Sequence, residues 1–194
     1  MLFGCGSLPR LQELAIFTDN NGGEGVTALA DGLRRGRMPS LSTLALYNTQ
    51  IGPEGATALA PALTKRALPS LEGLNLDFNP LGDAGLAALL PALRRLPPLK
   101  MLGLISTHIG DEAVASLVAQ PTAGKLKSLK SLVLDCNQIT DAGFATLASA
   151  LRGGALPALK RLNLDENPPS KEARDAVFAA RPGVESRYHL WFLG

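Results

Sequence analysis

The hydrophobic positions of this chain repeat with two different spacings. The pattern LxxLxL, with Ile16 in place of the last leucine in the first unit, begins six times, at Leu11, Leu41, Leu71, Leu99, Leu129 and Leu159. The intervals between these starts are 30, 30, 28, 30 and 30 residues. In the third unit Leu74 and Leu76 alternate with other residues, whereas Leu86, Leu89 and Leu93 follow the spacing of one helix face. A period of two followed by a period near 3.6 predicts one strand and one helix in every unit.

Each unit also carries signals for the start of its helix. One repeat position holds a residue suited to an N-cap, namely Gly52, Gly82, Gly110, Thr140 and Ser170. The next position holds proline or aspartate in four units, as a helix N-terminus favours, and Lys171 departs from this rule. A glycine recurs three residues after the N-cap, at Gly55, Gly85 and Gly143, and predicts a close approach of helix and strand. Pro61 and Pro91 fall inside predicted helices, which we expect to kink or tighten there.

Composition and charge narrow the function classes. The chain has 37 Leu and 27 Ala among 194 residues, 19% charged residues and a net charge of +2. This composition excludes a disordered chain and lacks the basic excess typical of a nucleic-acid binder. Basic residues near the predicted helix ends, such as Arg94 and Arg95, are interpreted as partners of helix carbonyls, with an anionic partner as the alternative. We expect no nucleic-acid partner.

Candidate chemistry is sparse. Cys5 and Cys136 are the two cysteines, which are too few for a disulfide framework or a zinc site and favour a reducing compartment. The chain has no phosphate-binding, dinucleotide or metalloprotease motif. We therefore expect no enzymatic activity, no cofactor and no metal. The absence of a signal peptide or a long apolar run predicts a protein of the cytoplasm or nucleus without membrane association.

The repeated core LxxLxLxxN/T-x-I/L, over roughly residues 8 to 182, resembles the leucine-rich repeat family. The 30-residue units are most similar to the ribonuclease-inhibitor-like subtype, and also to the GTPase activator of Ran and the repeat regions of NOD-like receptors. The resemblance implies an α/β fold, a right-handed, curved solenoid of about six repeats forming a single domain over residues 1–194. Parallel strands would line its concave face and helices its convex face. Thr49 and Thr107 stand where the family usually has Asn.

Both ends of the chain differ from a full repeat. Residues 1–10 match only the last third of a unit, which suggests a fragment of a longer array. The N-terminal edge is accordingly expected to pair with a further repeat or a second copy. Residues 183–194 predict a short strand near Val184 to Tyr188 and then a cap formed by Leu190, Trp191 and Phe192. A docking peptide for a partner is the alternative interpretation of this segment.

The alternation of each strand places the residues between the core leucines on the concave face. The candidate partner-binding residues on this face are Phe17, Tyr47, Asn75, Asp77, Met101, Ile105, Val133, Asp135, Arg161 and Asp165. Aromatic side chains lie toward one end and aspartates toward the other, so we expect a protein partner with apolar anchors and a basic patch. The alternative is that the aspartates only keep the surface hydrated.

These features favour a non-enzymatic protein-protein interaction module that binds through its concave face. Two alternatives remain open at this point. The first is a regulatory accessory such as a GTPase-activating protein, in which Asn75 or Asn163 would orient the catalytic groups of the partner. The second is a fragment of a longer sensor or receptor array.

Overall fold

The computed structural model describes residues 8–17, 22–35, 38–119 and 126–186. Within these ranges the strands are β1 (Glu13–Phe17), β2 (Thr43–Tyr47), β3 (Gly73–Asn75), β4 (Met101–Gly103), β5 (Ser131–Val133) and β6 (Arg161–Asn163). The α-helices are α1 (Gly22–Arg34), α2 (Pro53–Leu59), α3 (Gly82–Leu93), α4 (Asp111–Val118), α5 (Asp141–Arg152) and α6 (Lys171–Ala180). None of the described helices is long and apolar enough to cross a membrane.

The six strands form one sheet in the order of the sequence, and every neighbouring pair is parallel. Strand alternates with helix along the chain, as the two hydrophobic periods predict. The register keeps equivalent repeat positions side by side, so that Leu74 pairs with Leu44 and with Leu102. Each repeat position therefore forms a straight column across the sheet.

The leucines of the repeat pattern form the core between the sheet and the helices. Leu44, Leu74, Leu102 and Leu132, which share one column, have no exposed surface. Phe144 of α5 is the largest of the fully buried side chains and packs in the same continuous core. This burial explains the leucine excess, because every repeat must cover the apolar side of the next one.

Four of the predicted N-caps, Gly52, Gly110, Thr140 and Ser170, precede their helices, whereas α3 already includes Gly82 and is preceded by Leu81. The helix starts also link neighbouring repeats. The Thr140 side chain accepts a hydrogen bond from Ala142 N at the start of α5. Asp111, in the first turn of α4, accepts hydrogen bonds from Thr140 N at 2.8 Å and Thr140 Oγ1 at 2.6 Å. Asp141 binds Ser170 in the same way. The aspartates therefore bind the next helix start in addition to favouring their own.

The recurrent glycine has a different role from the predicted one. A Cβ added at Gly85 would lie 3.4 Å from Pro53 Cα in the preceding repeat. A Cβ at Gly143 would collide with the Asp111 carboxylate of the preceding repeat. The prediction of a close helix–strand approach was therefore wrong, because the glycines make room for the neighbouring helix start.

The two internal prolines have different effects. The α-helix α2 ends at Leu59, and Ala60–Ala62, which contains Pro61, continues as a 3₁₀ turn. The predicted tightening is thus confirmed at Pro61. Pro91 lies inside α3, which continues to Leu93.

Three asparagines at equivalent positions each connect their own repeat to the one before it. Asn79 Oδ1 accepts hydrogen bonds from Thr49 N and Ile51 N, and its Nδ2 donates to Leu46 O at 2.7 Å. Asn137 makes the equivalent bonds to the fourth repeat, and Asn167 bonds to the fifth. These side chains satisfy buried backbone groups that lie beyond the ends of the short strands.

At the C-terminal end, Glu185 forms an isolated parallel bridge with Arg161. Glu185 lies within the segment where a further strand is predicted. Leu190, Trp191 and Phe192, the predicted cap, lie outside the described residues.

Candidate binding surface on the concave face

The side chains that alternate with the core leucines form the concave face. One column of this face contains Ala15, Ala45, Asn75, Gly103, Val133 and Asn163, in the order of the strands. The predicted alternation therefore places all ten candidate residues along this side of the sheet or just beyond its strands. Their exposure, however, differs from the expectation.

Four of the ten candidate residues are buried. Asn75 and Asp77 are each 4% exposed, Met101 is 9% exposed and Asp135 is 1% exposed. Phe17 and Asp165 are exposed, whereas Tyr47, Ile105, Val133 and Arg161 are partly exposed. The expectation of an open row was wrong for the four buried residues. The rungs of a parallel sheet lie only about 4.8 Å apart, so that each side chain is covered by those on neighbouring rungs.

Asp77 is held in a network that bridges the third and fourth repeats. Its Oδ1 accepts a hydrogen bond from Ile105 N at 2.8 Å, and its Oδ2 accepts one from Asn75 Nδ2 at 2.7 Å. Gly103 on the next strand leaves the necessary room, because a Cβ there would lie 2.9 Å from Asp77 Oδ1. Burial raises the pKa of Asp77 from 3.8 to about 6, with a smaller contribution from the charge of Asp135, although the hydrogen bonds oppose this rise.

Asp135 occupies the equivalent position two repeats later. Its Oδ1 accepts a hydrogen bond from Asp165 N at 2.6 Å, whereas its Oδ2 is buried and has no hydrogen-bond partner among the described residues. Burial, and secondarily the charge of Asp165, raises the pKa of Asp135, and the bond from Asp165 N opposes this change. The Asp165 carboxylate itself is 2.7 Å from Arg174 Nη1. The three candidate aspartates at this end are therefore either buried or paired, whereas Glu166 beside them is exposed.

Aromatic side chains are exposed at the other end of the face. Phe17 and Tyr47 are register partners on β1 and β2, and Phe17 is 65% exposed. In the next repeat, Asp77 occupies the position equivalent to Tyr47. Phe78, which follows Asp77, is 51% exposed. Burial, with the nearby Asp77 carboxylate, raises the pKa of the Tyr47 phenol above its ordinary value. We call Phe17, Tyr47 and Phe78 the aromatic patch.

Sequence reasoning missed Phe78. It follows Asp77 at the end of the strand segment, and its φ of 59° is in the left-handed region. Asn48, Ser106, Cys136 and Glu166 have the same conformation at the equivalent position. Strand alternation alone predicts neither this left-handed turn nor the exposure of Phe78 that follows it.

A second unexpected column lies where the strands begin. Lys130 N and Ser131 N both donate to Lys100 O, at 2.8 and 3.0 Å, and Lys160 N and Arg161 N both donate to Lys130 O. Two consecutive N–H groups thus share one carbonyl oxygen at the start of the strand. Both Lys130 and Ser131 line the face, although they are consecutive residues. This column contains Gln12, Ser42, Glu72, Lys100, Lys130 and Lys160.

A shallow groove of about 320 Å³ follows this edge of the sheet. We call it the edge groove, and its lining includes Glu13, Glu72, Lys100, Met101, Lys130 and Arg161. Glu72 Oε1 lies 2.6 Å from Lys100 Nζ. The described residues contain no group of acidic, histidine and cysteine side chains placed to hold a metal ion. The geometry of the face is suited to contact with another molecule.

The architecture defines the class of this protein. Three segments, residues 37–60, 67–90 and 125–148, match a family model described as Leucine Rich repeat. Together with the open parallel sheet and its six described helices, these matches identify an α/β leucine-rich-repeat solenoid. The ribonuclease-inhibitor-like subtype stays a prediction.

Among solved structures, the chain is similar to the actin-binding site 2 region of leiomodin-1. The TM-score is 0.54 at 22% identity, over 78% of this chain and 82% of that one. It is also similar to a protein from Bacteroides fragilis, with a TM-score of 0.53 at 21% identity, over 78% of this chain and 43% of that one. Both similarities concern the fold alone. No curated protein matches the chain in sequence.

Proposed function

We propose that this chain is a non-enzymatic protein-recognition module that binds its partner through the concave face. The observation that carries the proposal is the aromatic patch, in which Phe17 is 65% exposed although it lies on a regular strand. Exposed aromatic side chains on a rigid sheet provide a large contact area with little loss of conformational entropy. The aromatic patch would therefore supply most of the binding energy.

The fold class supports this proposal. Repeat solenoids present extended concave surfaces that are suited to binding. The leiomodin-1 region to which the chain is similar is an actin-binding site by its name, and its length is close to that of this chain. A solenoid of this size is thus large enough to act as a binding region. Actin itself does not follow as the partner, because the similarity concerns the fold.

The expected basic patch on the partner has weaker support than the apolar anchors. Asp77 and Asp135 are buried, and Asp165 is exposed but paired with Arg174. An ion pair with Asp165 would compete with this existing pair. We therefore assign the main contact to the aromatic patch and only a minor one to Asp165.

The two asparagines suggested for the regulatory alternative are buried. A GTPase-activating role was linked to Asn75 or Asn163 as an exposed polar group. These residues are 4% and 3% exposed, so that neither can reach a nucleotide in a partner without rearrangement. The other alternative, a fragment of a longer sensor or receptor array, is compatible with binding through this face.

The experiment compares proteins captured from an extract of cells that make the chain. The test variant combines Phe17→Ala and Tyr47→Ala, and the matched control is Leu8→Ala, which removes an exposed apolar side chain outside the strands. We expect the wild type and the control to recover the same partner, and the double variant to bind the purified partner on the order of 100-fold more weakly. Thermal unfolding checks that all three proteins are folded. Equal affinity of the double variant and the control for every recovered partner would contradict the proposal.

A further inference from the structure

We infer that the edge groove is a docking site for a short acidic segment of a protein partner. This inference deepens the proposed function and rests on it in one respect, namely that the ligand of the concave face is a protein. It concerns the opposite edge of the strands from the aromatic patch and does not require that patch to bind. The inference is supported by the positive charge of the groove, by the carboxylates on either side of it and by the residues that line it.

The positive charge comes from consecutive rungs. Lys100, Lys130 and Lys160 immediately precede β4, β5 and β6 at the same repeat position, and we call them the lysine ladder. Their Cα atoms are separated by about one rung, roughly 4.8 Å, at which like charges repel. Lys100 is paired with Glu72, whereas Lys130 and Lys160 form no ion pair with any described residue. A bound carboxylate would relieve the repulsion between these two exposed ammonium groups.

Carboxylates limit the ladder on both sides. Glu72 precedes Lys100 on the third rung, and Glu13 lines the groove at its far end. Beyond the sixth strand, Glu185 N donates to Lys160 O and Glu185 bridges to Arg161. Lys130 lines the groove itself, and Lys160 lies one rung further along, outside the groove lining. The attractive stretch therefore runs from Lys130 toward Lys160, with acidic groups before and after it. This short positive stretch is complementary in charge to a ligand that carries a few consecutive carboxylates.

This arrangement favours an acidic peptide over a nucleic acid. A nucleic-acid strand carries a uniform negative charge, so that its phosphates beyond the ladder would meet Glu13 or Glu185. The described lining of the groove contains no aromatic side chain on which a base could stack. The floor between the charged residues is formed by Gly73, Met101 and Ser131, which leave room for a peptide backbone. An acidic run followed by neutral or basic residues toward Glu13 is the complementary sequence.

The test uses a fluorescein-labelled peptide with a central Glu-Glu-Asp-Glu run between Gly and Ser residues. The control peptide has Gln and Asn in place of Glu and Asp, and unlabelled oligo(dT) serves as the nucleic-acid competitor. Fluorescence anisotropy is measured at low salt and again at higher salt. We expect the acidic peptide to bind the wild-type chain more tightly than its amide counterpart, and salt to weaken this binding.

The variant K130E/K160E reverses the two central charges of the ladder. Its matched control is K65E/R66E, which reverses an exposed basic pair outside the groove and changes the net charge by the same amount. We expect K130E/K160E to lose at least about tenfold in affinity for the acidic peptide and K65E/R66E to stay within about twofold. K130E/K160E should also gain affinity for a lysine-rich peptide, which a misfolded variant would not do.

Three outcomes would overturn the inference. The first is equal affinity of the wild type for the acidic and amide peptides, and the second is an equal loss in both charge-reversed variants. The third is displacement of the acidic peptide by oligo(dT) at lower concentration than by the unlabelled peptide, which would indicate a nucleic-acid surface. The F17A/Y47A variant should bind the acidic peptide as the wild type does. This arm separates a failure of the groove from a failure of the aromatic patch.

Discussion

Replacing Asp77 with asparagine should remove a pH-dependent loss of stability. Asp77 is 4% exposed, and burial raises its pKa to about 6 in the folded chain, compared with 3.8 for the ordinary carboxyl group. Between these two pH values the folded chain binds more protons at this site than the unfolded chain. Its contribution to the free energy of unfolding is therefore full below pH 3.8 and declines as the pH rises through 6.

The magnitude follows from the difference between the two pKa values. A shift of one pH unit corresponds to 1.36 kcal/mol, so that the change from 3.8 to about 6 is equivalent to about 3 kcal/mol. Most of it, about 2 kcal/mol, should be lost between pH 4 and pH 7. Asp77→Asn abolishes this dependence. It also introduces a constant loss of about 1 kcal/mol, since the new amide group faces the Asn75 Nδ2 donor.

The assay is urea unfolding of both proteins from pH 4 to pH 7.5, with the difference in unfolding free energy plotted against pH. Taking the difference removes the contributions that the two proteins share, whereas the charge interactions of Asp77 with Asp135 and Tyr47 remain in it. Glu54→Gln is the control, because it converts a solvent-exposed carboxylate to an amide on α2. We expect the Asp77→Asn difference to shift in favour of the variant as the pH rises. A difference that is constant over the range, or that shifts in favour of the wild type, would refute the assignment of a buried, costly charge to Asp77.

Three further substitutions test contacts between repeats, each by denaturant unfolding. Asn137→Ala removes six hydrogen bonds and should lower the free energy of unfolding by about 3 kcal/mol; a loss below 1 kcal/mol would mean that water replaces the amide. Gly103→Ala places a methyl group against Asp77 and should cost about 1 to 3 kcal/mol, whereas an unchanged midpoint would show that the network adjusts freely. Thr140→Ala removes the N-cap and its bond to Asp111 and should cost about 1 kcal/mol, with Thr140→Ser retaining most of the stability.

The regular part of this fold could be predicted from the sequence because it is local. The LxxLxL pattern alternates with period two, so that Leu102 and Leu132 had to face the core of any sheet they joined. Helix starts depend on a few neighbouring residues, and the N-caps at Thr140 and Ser170 were predicted correctly, whereas the one at Gly82 was not. The alternation also placed Phe17 and Tyr47 on the concave face, where they are partly or largely exposed.

The remainder depends on contacts between repeats, which a single repeat does not encode. Asp77 is buried because Gly103, 26 residues later, lets the two strands' side chains approach. Lys130 lines the edge groove together with Ser131, although strand alternation would place two consecutive residues on opposite faces. Phe78 is exposed and has a left-handed backbone just after the strand segment. A sequence pattern read one repeat at a time gives no signal for any of these three features.

The connections between repeats also divide the array chemically. A neutral amide, Asn79, joins the second repeat to the third, and another, Asn137, joins the fourth to the fifth. Between the third and fourth repeats, three carboxylates make side-chain bonds: Asp77 to Ile105 N, Asp83 to Gly110 N and Glu72 to Lys100. Carboxylates also cross the later junctions, where Asp111 binds Thr140 and Asp135 binds Asp165 N, but an asparagine bonds across each of those junctions as well. At the junction of the third and fourth repeats, Thr107 stands at the position of these asparagines. We therefore expect a change of pH to loosen this junction first, which hydrogen exchange would show.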